Sequence, residues 1–253
     1  MSFNSIATIN IPMQPKLKVS FIALSLAGVL PLSAANPSSA SAMDDIPYGI
    51  EAVAQYRSEY SYRGFILAKD TIDLQLGAQY AFNDTTALNS TAWFGSEIGD
   101  GDFTEGGIRA ELLKDTGAMT YSFSGTYRSY SNSFFEDGLN IEAAAIYHLN
   151  QLIDFSGRIA YDTGAEGWYA DLGGSYYHRL NDDSYFSLSA GISAVDKYYS
   201  RDGLNDIFAK LSYTYNINQS VSLSPYVGTS VLLDNDDTGS DSLYGGIYFA
   251  VSF

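Results

Sequence analysis

From about residue 50 to Phe253 the chain is written in apolar/polar alternation, segment after segment, with no long apolar run between. Successive side chains of a strand point to opposite faces, so each segment has one greasy face and one polar face. The last is the clearest. Leu243, Gly245, Ile247, Phe249, Val251 and Phe253 share one face, and Ser242, Tyr244, Gly246, Tyr248, Ala250 and Ser252 share the other. Twelve such segments fit, at roughly 50–60, 71–82, 86–97, 105–114, 119–130, 138–149, 152–163, 167–180, 184–196, 205–217, 221–233 and 242–253. In the second, Ile72, Leu74, Leu76, Ala78, Tyr80 and Phe82 alternate with Asp73, Gln75, Gly77 and Gln79. The third is ambiguous, because Trp93 and Phe94 are adjacent and cannot share a face.

The pattern predicts an all-β fold: a closed antiparallel transmembrane β-barrel of about twelve strands. Nothing after residue 42 approaches the ~20 apolar residues of a membrane helix, and a closed barrel is the other way across a bilayer. A soluble barrel or β-sandwich is the rival. There the apolar faces would point inward, but twelve strands enclose more space than side chains simply fill. Inverting the barrel puts the apolar face in lipid and the polar face on a wet lumen. A final aromatic closing such a strand is similar to the C-terminal signal read by the bacterial barrel-assembly machinery, with Phe249, Val251 and Phe253 as its outward residues.

The connections alternate too. Asn83-Asp84-Thr85, Lys114-Asp115-Thr116-Gly117, Asn150-Gln151, Asn181-Asp182-Asp183 and Asn218-Gln219-Ser220 are short turns rich in turn formers. Between them lie mostly longer connections, at 61–70, 98–104, 131–137, 197–204 and 234–241. In outer-membrane barrels short turns are periplasmic and long loops extracellular. Tyr60, Tyr62, Tyr161, Trp168 and Tyr244 then fall near outer strand ends. Tyr80, Phe82, Tyr147, Tyr176, Phe186, Tyr215 and Phe253 fall near inner ends. Two interfacial girdles would be placed this way, although strand propensity alone also enriches tyrosine.

At the other end, Lys16 and Lys18 precede an apolar run from Val19 to Leu32, and Ala40-Ser41-Ala42 fits an A-x-A cleavage site before Met43. This reads as a secretory signal peptide over 1–42, with Ser33-Ala34-Ala35 as a competing site, and leaves 43–253 as the barrel domain. Removing 1–42 takes the formal charge from −16 to −18, since the segment carries two lysines and no acid. Such a balance excludes nucleic acid as a partner, because phosphate binding needs concentrated Lys and Arg. There is no cysteine, so no disulfide framework or thiolate chemistry. The expected partners are outer-membrane lipid and lipopolysaccharide, the assembly machinery and small solutes. No cofactor is implied.

Three groups of residues are candidates for chemistry. Two histidines, His148 and His178, fall near the ends of descending strands and read as rim residues. A general base needs a nucleophile or water in reach, and spacing along the chain supplies neither, so no catalytic residue is expected. On the lumen face fall Arg57, Arg109, Arg128, Arg158, Arg179 and Lys210, with Glu51, Glu59, Asp73, Glu111, Glu142, Asp154 and Asp171. Inward charges of mixed sign either line a pore or pair and obstruct it. Either way, their near balance argues against a strong ion selector. Thirdly, Asp234-Asn235-Asp236-Asp237-Thr238-Gly239 has the early spacing of a calcium loop, but the position for its last acid is Gly245. Gly99-Asp100-Gly101-Asp102 is a weaker candidate, and no metal site is expected.

Ser58-Glu59-Tyr60-Ser61-Tyr62-Arg63-Gly64 resembles the S-x-Y-x-[FY]-R-G opening of the Gcw_chp family, and the resemblance continues through Leu74–Tyr80 and Trp93. The matched motif residues are Ser58, Tyr60, Tyr62, Arg63 and Gly64. Where the family often continues R-G with a polar stretch, this chain has Phe65-Ile66-Leu67-Ala68-Lys69. The resemblance implies a signal-peptide-bearing, TorF-like outer-membrane porin of otherwise unknown function, with no catalytic residues to carry over. On the residues themselves, Gly64 suits a φ > 0 corner and Arg63 would pin a loop to acidic neighbours. The expected function is a small porin-like diffusion channel. The alternatives are a non-conducting structural or surface-interaction barrel filled by paired charges and, more distantly, an outer-membrane enzyme.

Overall fold

The computed structural model describes residues 48–233 and 239–253. The leader at 1–42 and the calcium-like loop, apart from Gly239, lie outside them. Twelve strands follow in order: β1 Tyr48–Tyr62, β2 Phe65–Asn83, β3 Thr86–Glu97, β4 Thr104–Asp115, β5 Met119–Ser131, β6 Gly138–His148, β7 Ile153–Asp162, β8 Gly167–Arg179, β9 Ser184–Tyr198, β10 Arg201–Asn216, β11 Val221–Leu232 and β12 Ser242–Ser252. Each pairs antiparallel with its sequence neighbours, and β1 pairs with β12 from Glu51↔Ser252 to Arg57↔Gly246, closing the ring. Closure leaves no strand edge unpaired, which is what a bilayer requires.

The alternation decides which face points where. Leu74, Ile108, Leu172 and Leu243 are 59–76 % exposed on the outer wall. Their strand neighbours Asp73, Gln75 and Asp171 are buried inside. A soluble sandwich would have the reverse, so that alternative falls. The ambiguous pair on β3 resolves cleanly: Phe94 faces out and Trp93 faces in, donating from Nε1 to Glu105 Oε1 at 2.9 Å.

Five short turns cap one end, and the other connections cap the opposite end. Two of the expected long connections are tight turns instead. The 61–70 segment continues both strands and reverses at Arg63-Gly64, with φ of 52° and 79°. The 197–204 segment reverses at Tyr199-Ser200, with φ of 50° and 69°. Two successive residues with φ > 0 match the twist of a hairpin. Gly64 also has no room for a side chain, since a Cβ there would lie 2.9 Å from Asn205 Nδ2.

The expected outer girdle needs correction as well. Trp168 is exposed and packs against Tyr161, but Tyr60 and Tyr62 are buried inside the barrel. The facing of β1 changes between Ser58 and Tyr60, opposite Asp70 with its φ of 49°, and a β-bulge between Tyr60 and Ser61 then shifts the register against β2. Tyr244 has the inward parity of its strand and packs beside Tyr226. At the short-turn end Tyr80, Phe82, Tyr147, Tyr176, Phe186, Tyr215 and Phe253 are all exposed on the outer wall.

Orientation can be read on intact cells, because a cysteine-free chain takes single thiol labels cleanly. Asp100→Cys in the 98–103 loop should react with an impermeant thiol reagent, and Gln219→Cys in the 217–220 turn should not. The opposite labelling pattern would invert the barrel in the membrane.

Candidate functional site: the lumen

The inner face of the outer half is a continuous layer of ion pairs. Arg57 Nε donates to Asp73 at 2.8 Å across the β1–β2 ladder, and its guanidinium lies 3.5 Å from the centre of the Tyr60 ring. Arg128 Nη1 reaches Glu105 at 2.7 Å and Tyr60 Oη at 3.2 Å. Arg158 Nε donates to Asp171 at 2.7 Å. Arg109 Nη2 bridges Glu111 at 2.8 Å and Glu142 at 3.1 Å. Glu142 is the centre of the layer, with Arg158 at 3.7 Å and Arg63 at 3.8 Å as well. Burying charges is costly unless each finds a partner, and these arginines all do.

Arg63 crosses the barrel. In a ring of twelve, β7 stands opposite β1. From the β1 tip, Arg63 approaches Glu142 on β6 and Asp162 on β7, each at 3.8 Å. It donates to Tyr198 Oη on β9 at 3.0 Å and stacks 4.5 Å from the Tyr169 ring on β8. Asn140 accepts from both Nη atoms at 3.0 Å when its amide oxygen faces them. The turn backbone is tied down too: Asn205 donates to Arg63 O at 3.1 Å, and Arg201 to Gly64 O at 3.2 Å. An aromatic layer covers this septum. Phe135 packs on Tyr62, Phe65 and Tyr198 and stacks 4.1 Å from the Tyr199 ring, while Phe103 packs edge-on to Tyr60.

Below the septum the wall changes character. Gln55, Gln75, Gln79, Asn89, Thr91, Ser124 and Thr214 line it. Lys210 sits among them with its Nζ 3.4 Å from Tyr248 Oη, and among the described residues it has no carboxylate partner. Glu51 is buried near the inner end, and Glu59 is half-buried just before the bulge. Arg179 departs from the expected lumen set. Its side chain is 51 % exposed at the short-turn rim and pairs with Asp182.

The fold has solved counterparts. The KdgM porin matches with a TM-score of 0.53 and 10 % identity, over 81 % of this chain and 99 % of that one. The NanC porin gives 0.52 and 10 %, over 81 % and 98 %. An outer-membrane channel from Pseudomonas putida F1 gives 0.54 and 11 %, over 81 % and 95 %. At such identities the likeness is one of fold. No protein-family model matches the chain, and no curated protein matches it.

Sequence reasoning missed several inward groups. Glu105 and Asp162 share the parity of Arg109 and Arg158 but lie at strand ends. Both fall inside the expected segments 105–114 and 152–163, so inward parity alone would have found them. It also missed a hydrogen-bonded chain at the inner rim, where spacing offered no constellation. Asp154 Oδ1 lies 2.8 Å from His148 Nδ1, and His148 Nε2 lies 3.1 Å from Thr120 Oγ1. Register brings these three together from β7, β6 and β5. The order is that of a base with its orienting carboxylate, held against a Thr120 that is 7 % exposed. The trio ties three strands together at the rim. His178 stacks on Tyr176 on the outer wall. No described cluster of His, Asp or Glu has the arrangement of a metal site.

Proposed function

We propose that this barrel is a porin-type channel of the bacterial outer membrane, passing small solutes along a lumen narrowed by the Arg63 septum. The observation that carries this reading is the inner half of the lumen. Its wall is predominantly Gln, Asn, Ser and Thr, with Glu51 and Lys210 among them and aliphatics confined to a few positions such as Val53, Ile146 and Ala250, so it is built to face water and not to pack dry. The shared fold with two porins and an outer-membrane channel supports it, and none of those three is an enzyme by its description.

A second reading has its own observation. Five lumen arginines are neutralised by carboxylates and one of them bridges opposite walls, as a sealed scaffold would have it. Planar-bilayer recording of the purified protein separates the two. The channel reading expects small, weakly selective conductance, because paired charges cancel one another's field. Silence in the wild type and in a variant with the septum removed would favour the scaffold.

The resemblance to the Gcw_chp family gains a physical rationale in this reading. Tyr60, Tyr62, Arg63 and Gly64 of the shared motif build the septum, and Ser58 Oγ accepts from Gly245 N at 2.9 Å on the β1–β12 seam. The terminal aromatic fits assembly. Phe253 is exposed on the outer wall and its N–H donates to Ile50 O at 2.9 Å. Deleting Phe253 should cut outer-membrane levels severalfold with unfolded chain accumulating in the periplasm. Normal levels of the folded truncated barrel would remove its role as a signal.

A further inference from the structure

Among the described residues, Lys210 is a lumen cation with no carboxylate in the ion-pair layer as its partner. Its Nζ stands 5.2 Å and 5.4 Å from the ring centres of Tyr226 and Tyr248. Those rings are parallel to within 19°, with centres 4.7 Å apart. Gln55 donates to Tyr226 Oη at 2.7 Å, holding the hydroxyl against the wall over Gly246. Two glycines make this surface. A Cβ at Gly228 would meet the Tyr244 ring at 2.5 Å, and one at Gly246 would meet Tyr226 Oη at 2.5 Å. Tyr226 therefore lies down over β12 at Gly246, and the neighbouring Tyr244 over β11 at Gly228, instead of standing into the lumen, with Tyr248 stacked on Tyr226. The result is an aromatic pair with an ammonium group beside it, in a wall made largely of neutral amides and hydroxyls below the Arg57–Asp73 pair.

We propose that Lys210, Tyr226, Tyr248 and Gln55 form a binding subsite for a small carboxylate solute with a flat ring. The carboxylate would pair with the ammonium, a charge-assisted contact stronger than a neutral hydrogen bond. The ring would lie against the tyrosine faces. A bare anion such as chloride gains only the first contact. A neutral ring gains only the second. The site rests on the channel reading for its biological use, since a solute must enter the lumen to reach it, but binding itself can be measured without conduction.

The test is calorimetric titration of the purified barrel with benzoate, alongside chloride and benzyl alcohol, and bilayer recording of the same samples. Benzoate should bind most tightly. Lys210→Met should weaken benzoate by about tenfold or more, as loss of a charged contact implies, while Lys210→Arg retains most of it. Heat-modifiable gel mobility confirms that each variant is folded. If benzoate binds no better than chloride, or equally well to folded Lys210→Met, the subsite is wrong whatever the conductance. Lys210-dependent binding to a barrel that never conducts upholds the subsite and overturns the channel reading instead.

Discussion

Replacing Arg63 with methionine should raise single-channel conductance severalfold and lower the unfolding temperature of the barrel. Methionine keeps most of the length but none of the donors. Asp162 then loses its cation, and Tyr198 Oη and Asn140 lose a donor that reaches them from the far side of the ring. Removing one partner of a buried pair costs about 3–5 kcal/mol. The lower end applies here, because Glu142 still has Arg109 and Arg158. The conductance follows from place rather than strength, since Arg63 joins β1 to the opposite wall. Bilayer recording and thermal melts on one preparation check both effects. A destabilised barrel with unchanged conductance would mean that solutes pass elsewhere.

Glu142→Gln should cost more. One carboxylate serves Arg63, Arg109 and Arg158, and an amide leaves three guanidinium groups crowded with one fewer counter-charge. We expect about 3–5 kcal/mol, the price of a broken buried pair. Glu111 and Asp171 hold two of the three arginines and keep the loss within that range. The double variant with Arg63→Met should fall short of the sum by about 0.5–3 kcal/mol, as contacting residues do. Strict additivity would show that Arg63 and Glu142 are neighbours without energetic coupling. Thermal melts read by heat-modifiable mobility measure all three.

The barrel was legible because period-two alternation is a global property that survives ambiguity in any one segment. Phe94 and Trp93 could not be assigned from their own strand, yet the register of eleven others left them no choice. What escaped was set by single residues. No hydrophobic period announces the change of facing between Ser58 and Tyr60, so alternation alone puts the two motif tyrosines at the lipid interface when they belong in the lumen. Tyr199-Ser200 carries none of the Asn-Gly chemistry that marks a two-residue turn, and it is held by Phe135 stacked on Tyr199 from another loop. Inward parity gave the sign and face of Arg57, Arg109, Arg128 and Arg158. It could not give their partners, because lateral register decides which carboxylate stands beside which arginine. Asp73 stands beside Arg57 and Glu105 beside Arg128, each from the adjacent strand.

The septum has a consequence for biogenesis. Its central contact joins Arg63 to Tyr198, 135 residues away, and another joins Asn205 to the turn backbone across 142 residues. Contacts so distant along the chain close late, because the loop entropy must be met before they return anything. The tip of β1 finds β6 to β9 in place only when those strands have taken their positions in the ring. A half-assembled barrel therefore lacks its septum, and the finished one narrows its own lumen in the act of completing its circle.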